Sequence, residues 1–383
     1  MASQSWRVPR AKVHVTNQRL REKIEAAFEP ILYGDWWSAQ QLIPELEQKF
    51  GDEMGYRFTS AVQSGSAGLR LALLACGIKT GDEVITVANS DMATTAAISQ
   101  VGAVPVFCDV LCSDYNINPG LVEALITDRT RALLPVDLYG HPVNGRKLRE
   151  IADRYDLFVV QDAAIATGAM DYDQPVGFFA DLTVFSTSAG KPFASGGHGG
   201  LVVTSRADLW EKVETLKGYG RRPEENFNLP IKYDHILEGY NLRMTPYDAA
   251  VLVIKLPYLK EWSEKRRQIA GWYQDRLQGL PGVSLPSFRS ESRPIFRTYT
   301  ICIENRDAVY NFLKDEGVQA ALHYVPPVHM QTVYRHRHLP GFGKLSVTEW
   351  LADRLLALPV DPEHTEEEIR YVCDQIASFV QIK

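Results

Sequence analysis

Residues 157–191 read LFVVQDAAIATGAMDYDQPVGFFADLTVFSTSAGK, and the interpretation of the whole chain turns on them. They contain two near-continuous apolar runs, LFVVQD (Leu157 to Asp162) and LTVFST (Leu182 to Thr187), each ending in polar residues and followed by small ones. Unbroken apolar character, rather than strict alternation, marks a strand covered on both faces. Working outward, similar runs recur as EVITV (Glu83 to Val87), VPVFCDV (Val104 to Val110), ALLPVD (Ala132 to Asp137) and GLVVT (Gly200 to Thr204). Between them lie the helix-like segments AGLRLALLACG, LVEALITD and GRKLREIADRYD. Strand and helix in alternation predict an α/β fold with a mainly parallel sheet flanked by helices.

The pattern changes near Leu256. A long charged helix pattern, YLKEWSEKRRQIAGWYQDRLQGL, precedes the strand candidate FRTYTICIE (Phe296 to Glu304). The helix candidates DAVYNFLKDEG and TEEEIRYVCDQIASFV follow. A chain of 383 residues exceeds one ordinary core. The expectation is therefore an N-terminal segment with a large domain over residues 1–255, then a smaller C-terminal α+β domain over residues 256–383. Arg221 to Glu238, rich in Asn, Pro and charge, reads as a loop.

Hydrophobic residues make up 45% and charged residues 23%, enough to bury a core. The net charge of -6 argues against a nucleic-acid partner, which would want a basic stripe. Cys76, Cys108, Cys112, Cys302 and Cys373 include no Cys-x-x-Cys pair and read as free thiols of a reducing cytoplasm. Residues 1–30 hold no apolar core of signal-peptide length, and no run approaches the ~20 apolar residues of a membrane span. A cytoplasmic chain without a membrane partner is expected.

Ligands of open parallel sheets collect at the carboxyl ends of the strands. Ser64-Gly65-Ser66-Ala67 opens a helix there, and unpaired N–H groups at a helix start suit a phosphate, although the same residues make an ordinary cap. Asp162, followed by Ala163 and Ala164, could pair with a protonated pyridine nitrogen or simply cap a helix. Lys191, in FSTSAGK after Ser186, could attack a cofactor aldehyde if neighbouring charge lowers its pKa. Gly196-Gly197-His198-Gly199-Gly200 has neither dinucleotide-loop nor P-loop spacing, and reads as a hairpin passing close to a ligand or a second subunit.

The order of phosphate turn, ring-pairing acid and lysine across one sheet resembles the large pyridoxal-5'-phosphate (PLP) fold of aspartate aminotransferase. More narrowly, the chain resembles the DegT/DnrJ/StrS family of sugar aminotransferases. The resemblance rests on VQSGSAGLRLALLACGIKTGDEVI, GAVPVFCDV, NINPGLVEALITDRTRALLPVDLYGHP, QDAAIATGA, FSTSAGK, GGHGGLVVT, YNLRMTPYDAAV and GVQAALHYVPPVH, in that order, over roughly Ile31 to Phe379. It implies Lys191 as the Schiff-base lysine, Asp162 on the pyridine nitrogen, and Gly65, Ser66 and Ser186 around the phosphate. It also implies that Asn241 reaches the phosphate of a neighbouring subunit, hence a homodimer with shared sites, and that His323 and Tyr324 lie near the substrate entrance. The retained lysine argues against the branch of the family that carries histidine there and dehydrates sugars.

Three departures surround the expected cofactor. Asp91 stands where the family has a ring-stacking aromatic, which leaves Met92 as a candidate ring contact. Ile165 and Thr167 replace a Gln and a His, and His198 replaces an acid. The implied chemistry is ping-pong transfer of an amino group from glutamate or glutamine to the ketone of a sugar, nucleotide-linked first and cyclitol second. Arg221, Arg222 or Arg243 could clamp a diphosphate. Elimination or another carbanion reaction on the same cofactor, or a non-catalytic regulatory role, are the competing readings.

Overall fold

The computed structural model describes residues 6–221, 234–337 and 339–381. In chain order its strands are β1 (Phe58–Val62), β2 (Glu83–Val87), β3 (Val104–Cys108), β4 (Thr130–Leu133), β5 (Phe158–Asp162), β6 (Met170–Asp171) and β7 (Gln174–Pro175). They continue as β8 (Leu182–Ser186), β9 (Gly200–Thr204), β10 (Val283–Ser284), β11 (Ser292–Arg293), β12 (Tyr299–Ile303) and β13 (Leu355–Leu358). A seven-stranded sheet runs in the order β1-β9-β8-β5-β4-β2-β3. Neighbours from β8 to β3 pair in parallel, and β9 runs against both β8 and β1. This is the mainly parallel α/β sheet that the apolar runs imply.

The helix Gly65–Ala75 shows why both faces of the sheet are covered. Its Leu69, Ala72 and Leu73 share one buried cluster with Val160 of β5, Val184 of β8 and Val202 of β9. On the other face Phe50, Phe185, Phe193 and Leu201 form a second core. Among the described residues, no helix is long and apolar enough to cross a membrane.

Two sequence expectations come out differently. ALLPVD yields only the short β4, because Pro135 has no N–H to give the ladder. Pairing nevertheless continues past it, with Asp162 N donating to Pro135 O at 2.9 Å and a bridge between Val136 and Asp162. LVEALITD forms a single α-turn, Pro119–Val122, and a 3-10 turn, Glu123–Leu125. Residues 222–233, most of the expected loop, lie outside the described residues.

The antiparallel sheet β10-β12-β13 has its own core with the helices Leu259–Leu277, Arg306–Asp315 and Glu366–Gln381, centred on Tyr273, Ile301, Leu313 and Ile369. Val8, from near the other end of the chain, is fully buried in the same core. It is held by Val8 N to Gly317 O at 3.1 Å and Gln319 N to Val8 O at 2.9 Å. The stretch around Val8 thus packs with the C-terminal elements rather than with the large sheet. All five cysteines are free, and only Cys112 is exposed.

Candidate active site

Asp162 ends β5 and Ser186 ends β8, and these two strands are parallel neighbours. The helix Gly65–Ala75 begins next to their tips. A Cβ on Gly65 would stand 2.9 Å from Ser186 Cβ, and one on Gly200 2.7 Å from the Ser64 carbonyl carbon. Only glycine allows the helix start and the strands β8 and β9 to come this close. A cavity of about 470 Å³ opens at the junction, lined by Gly65, Ser66, Asp91, Thr94, Asp162, Ser186, Ser188, Lys191, His198 and Tyr324, among others.

The helix start turns free backbone donors toward the cavity. Ser64 caps it, its Oγ accepting from Ala67 N at 3.1 Å. The N–H groups of Gly65 and Ser66, on the cavity wall, meet no acceptor among the described residues. Ser186 Oγ lies beside them and donates to Ser188 Oγ at 3.2 Å. Free donors at the positive end of a helix dipole favour a phosphate.

Asp162 is only 4% exposed. Its Oδ2 accepts from Thr94 Oγ1 at 2.7 Å and its Oδ1 from Ala164 N at 3.1 Å. Burial holds this carboxyl above the ordinary range, and the two hydrogen bonds and the Lys191 charge offset part of the shift. A buried carboxylate in that state is stabilised by an added cation such as a protonated ring nitrogen.

Lys191 follows Gly190, whose φ of +81° places it in the left-handed region. The Nζ makes no hydrogen bond or ion pair among the described residues. Burial, and next the positive charge of Arg297, lower its pKa, against Asp162 and Asp91, which raise it. An amine without a partner and with a lowered pKa is a nucleophile and a base. Phosphate donors, a buried acid and this amine line one cavity, a donor set that fits PLP.

The remaining candidates divide. Asp91 lines the cavity and caps the helix Met92–Gln100, its Oδ1 accepting from Ala93 N at 3.0 Å. Met92 packs instead against the cluster of Ala88, Phe107, Val328, Tyr334 and Leu345. Successive helix residues point about 100° apart, so a cavity-facing cap turns the next side chain away. The expectation of a ring contact from Met92 is therefore corrected, and the aliphatic wall consists of Leu69, Ala93, Val136, Leu138, Ala164 and Ile165. His198 and Tyr324 line the cavity. His323 stacks on Tyr324 with ring centroids 5.1 Å apart. Burial and the charges of Arg297, Arg10 and Lys191 push His323 down to about 4.

Asn241 is exposed and not on this wall; its backbone pairs with Gly218, and Arg243 Nη2 reaches its Oδ1 at 3.4 Å. Arg221 also stands off the wall, and Arg222 lies outside the described residues. Thr94 and Arg297 escaped the sequence reading. Thr94 carried a usable signal, a hydroxyl on the first turn of a helix following a parallel strand. Arg297 lies far along the chain and carried none.

The family described as DegT/DnrJ/EryC1/StrS aminotransferases matches residues 18–377. The erythromycin biosynthesis sensory transduction protein EryC1 of Saccharopolyspora erythraea is 36% identical over 95% of this chain and 97% of that protein. The dTDP-3-amino-3,4,6-trideoxy-alpha-D-glucose transaminase of Streptomyces venezuelae is 36% identical over 98% of this chain and 97% of that enzyme. The crystal structure of S. venezuelae DesV with a ketimine intermediate superposes with a TM-score of 0.90 at 34% identity, covering 98% of this chain and 99% of that one. With Lys191, Asp162 and the Gly65 helix start in one cavity, this chain belongs to the DegT/DnrJ/EryC1/StrS aminotransferase family.

Proposed function

We propose that the protein transfers an amino group from glutamate or glutamine to the ketone of a sugar, a nucleotide-linked sugar before a free cyclitol. The observation that carries the reading is the unpartnered Lys191 amine sharing a cavity with buried Asp162 and the open helix start. The transaminase named above acts on a nucleotide-linked sugar, and the cavity holds about 470 Å³.

Bound PLP supplies an aldehyde that captures amines and a ring that withdraws electrons from the adjacent carbon. The Gly65 and Ser66 N–H groups, with the Ser66 and Ser186 hydroxyls, would hold the phosphate. Asp162, oriented by Thr94 and Ala164, would keep the ring nitrogen protonated. Lys191 would hold the aldehyde carbon and, once released, take the α-proton of the donor at Nζ. Its lowered pKa leaves more of the amine neutral for both tasks. Tyr324 and His198 would border the acceptor, and His323, held low by burial, would meet it uncharged.

Residues 1–255 and 256–383 would form the cofactor-binding and small domains, with the segment around Val8 joining the latter. The working unit would be a homodimer in which Asn241 serves the partner's phosphate site. Its exposure away from its own cavity supports this, as do Leu32, Tyr33, Trp36 and Trp37, a run of large exposed apolar residues. Free, mostly buried cysteines suit a reducing cytoplasm.

The test is to load the protein with PLP, reduce with borohydride and map the labelled peptide, then add glutamate to unreduced protein. Label on Lys191 and conversion of the cofactor to pyridoxamine phosphate are expected. A protein that takes up no cofactor, or whose label falls on another lysine, rejects the reading. Asp91 and His198, a carboxyl and an imidazole on the cavity wall beyond the lysine and the buried acid, favour elimination as a second reading. That reaction would release ammonia without accumulating pyridoxamine phosphate.

A further inference from the structure

Two carboxyl groups among the described residues line the cavity, Asp162 and Asp91, and the transaminase reading uses only the first. Asp162 is buried, with both oxygens hydrogen-bonded. Asp91 is exposed on the wall and caps the helix Met92–Gln100 through one oxygen, Oδ1, which accepts from Ala93 N at 3.0 Å. Among the described residues nothing donates to its Oδ2, and no Lys, Arg or His nitrogen comes within ion-pair distance.

The helix fixes where this free oxygen stands. Thr94, three residues on and also on the wall, gives its Oγ1 to Asp162 Oδ2 at 2.7 Å. Residues three apart are neighbours on a helix face, so Asp91 lies about one turn, ~5 Å, from the side chain that orients the buried acid. Its negative charge is felt at Asp162, Lys191 and Tyr324.

Charge then decides what Asp91 can receive. It repels a phosphate and the α-carboxylate of an amino donor, which leaves the acceptor. A sugar or cyclitol offers hydroxyl and ammonium donors. An ammonium both bonds the free oxygen and neutralises a charge that has no other counter-ion once ligands displace water. Resting on the transaminase reading above, we propose that Asp91 is a specificity-determining residue whose free oxygen receives an ammonium group of the acceptor. The favoured acceptor is then the ketone of a sugar or cyclitol that already carries an amino group. The effect is moderate, since an exposed ion pair is worth little and only partial exclusion of water by bound ligands raises it.

Calorimetry of the protein loaded with pyridoxamine phosphate, which has no aldehyde to capture amines, isolates this contact from turnover. The probes are methyl α-D-glucosaminide, in mildly acidic buffer where its amine is charged, and methyl α-D-glucoside, which has a hydroxyl in its place. The wild type should bind the glucosaminide about 10-fold more tightly. Asp91→Asn removes the charge and keeps the cap, because Asn and Asp cap helices equally well. It should bind both glycosides alike at an unchanged Tm. In steady-state kinetics it should lower kcat/KM for an amino-bearing ketone more than for its hydroxyl counterpart. Equal binding of the two glycosides by the wild type, binding of neither, or a preference that survives in Asp91→Asn overturns the proposal. An equal fall for every acceptor would assign Asp91 to proton transfer, and a raised KM for glutamine alone would assign it to the donor amide. Either result also overturns it. If the wild type selects the glucosaminide through Asp91 yet moves no amino group to any ketone, the transaminase reading fails and the recognition stands.

Discussion

Thr94 keeps a charge available in a place that disfavours charge. Its Oγ1 gives Asp162 a hydrogen bond at 2.7 Å while Ser90 Oγ lies 2.8 Å from the same atom. Replacing it by a side chain of equal shape and no hydroxyl, Thr94→Val, should raise the Asp162 pKa further. A bond to a charged group is worth ~1.5–3 kcal/mol, so kcat/KM should fall about 10- to 100-fold with little change in Tm. Equal kcat/KM in variant and wild type would remove Thr94 from the site. Asp137 makes the complementary case. It is fully buried and accepts from Val143 N at 2.9 Å, and burial still pushes it up to about 8. A carboxyl whose folded pKa is raised contributes stability below its ordinary ~3.9, and that contribution is lost as pH rises through the folded value. Asp137→Asn should therefore lose fewer degrees of Tm than the wild type between pH 5 and pH 9, measured by calorimetry. Asp162 and Lys191 were legible as residues because each follows a predicted strand. Thr94 matters through a partner, Asp162, that no spacing names.

The helix Gly65–Ala75 was the most legible element and is also the most tightly constrained. Its apolar residues pack on the sheet while its first turn serves the cavity. Gly65→Ala would drive a Cβ to 2.9 Å from Ser186 Cβ. Overpacking of this kind costs ~1–3 kcal/mol. The variant should lose several degrees of Tm and bind PLP at least 10-fold more weakly, by thermal melt and cofactor titration. A normal cofactor affinity would show that the helix start does not hold the phosphate. Strand β1 was missed, since Phe-Thr-Ser-Ala-Val breaks its apolar run with two adjacent hydroxyl residues, although it pairs with β9 along its length. The strand is supported by its neighbour more than by its own propensity. LVEALITD failed in the opposite direction, as local helix pattern yielded to the packing of one short turn.

At the scale of the molecule the proposed dimer gives a test that no single chain can mimic. Lys191→Ala and Asn241→Asp subunits, each inactive alone, should recover activity when co-refolded. Random pairing leaves half of the dimers mixed, each with one intact site, so about a quarter of wild-type activity is expected. No recovery would place Asn241 in its own subunit's chemistry or outside it altogether. The order of apolar runs was enough to specify the layered α/β architecture, because hydrophobic periodicity is local and each strand carries its own. It also pointed to Lys191, Asp162 and the Gly65 helix start, which the structure brings to one cavity, since ligands gather at strand ends whatever the rest of the chain does. Tertiary structure alone decided that Asp91 faces the cavity and Met92 does not, and that Val8 joins the C-terminal core. These are contacts between distant residues, and their energies depend on burial and on neighbouring charge, neither of which a residue carries in its own identity.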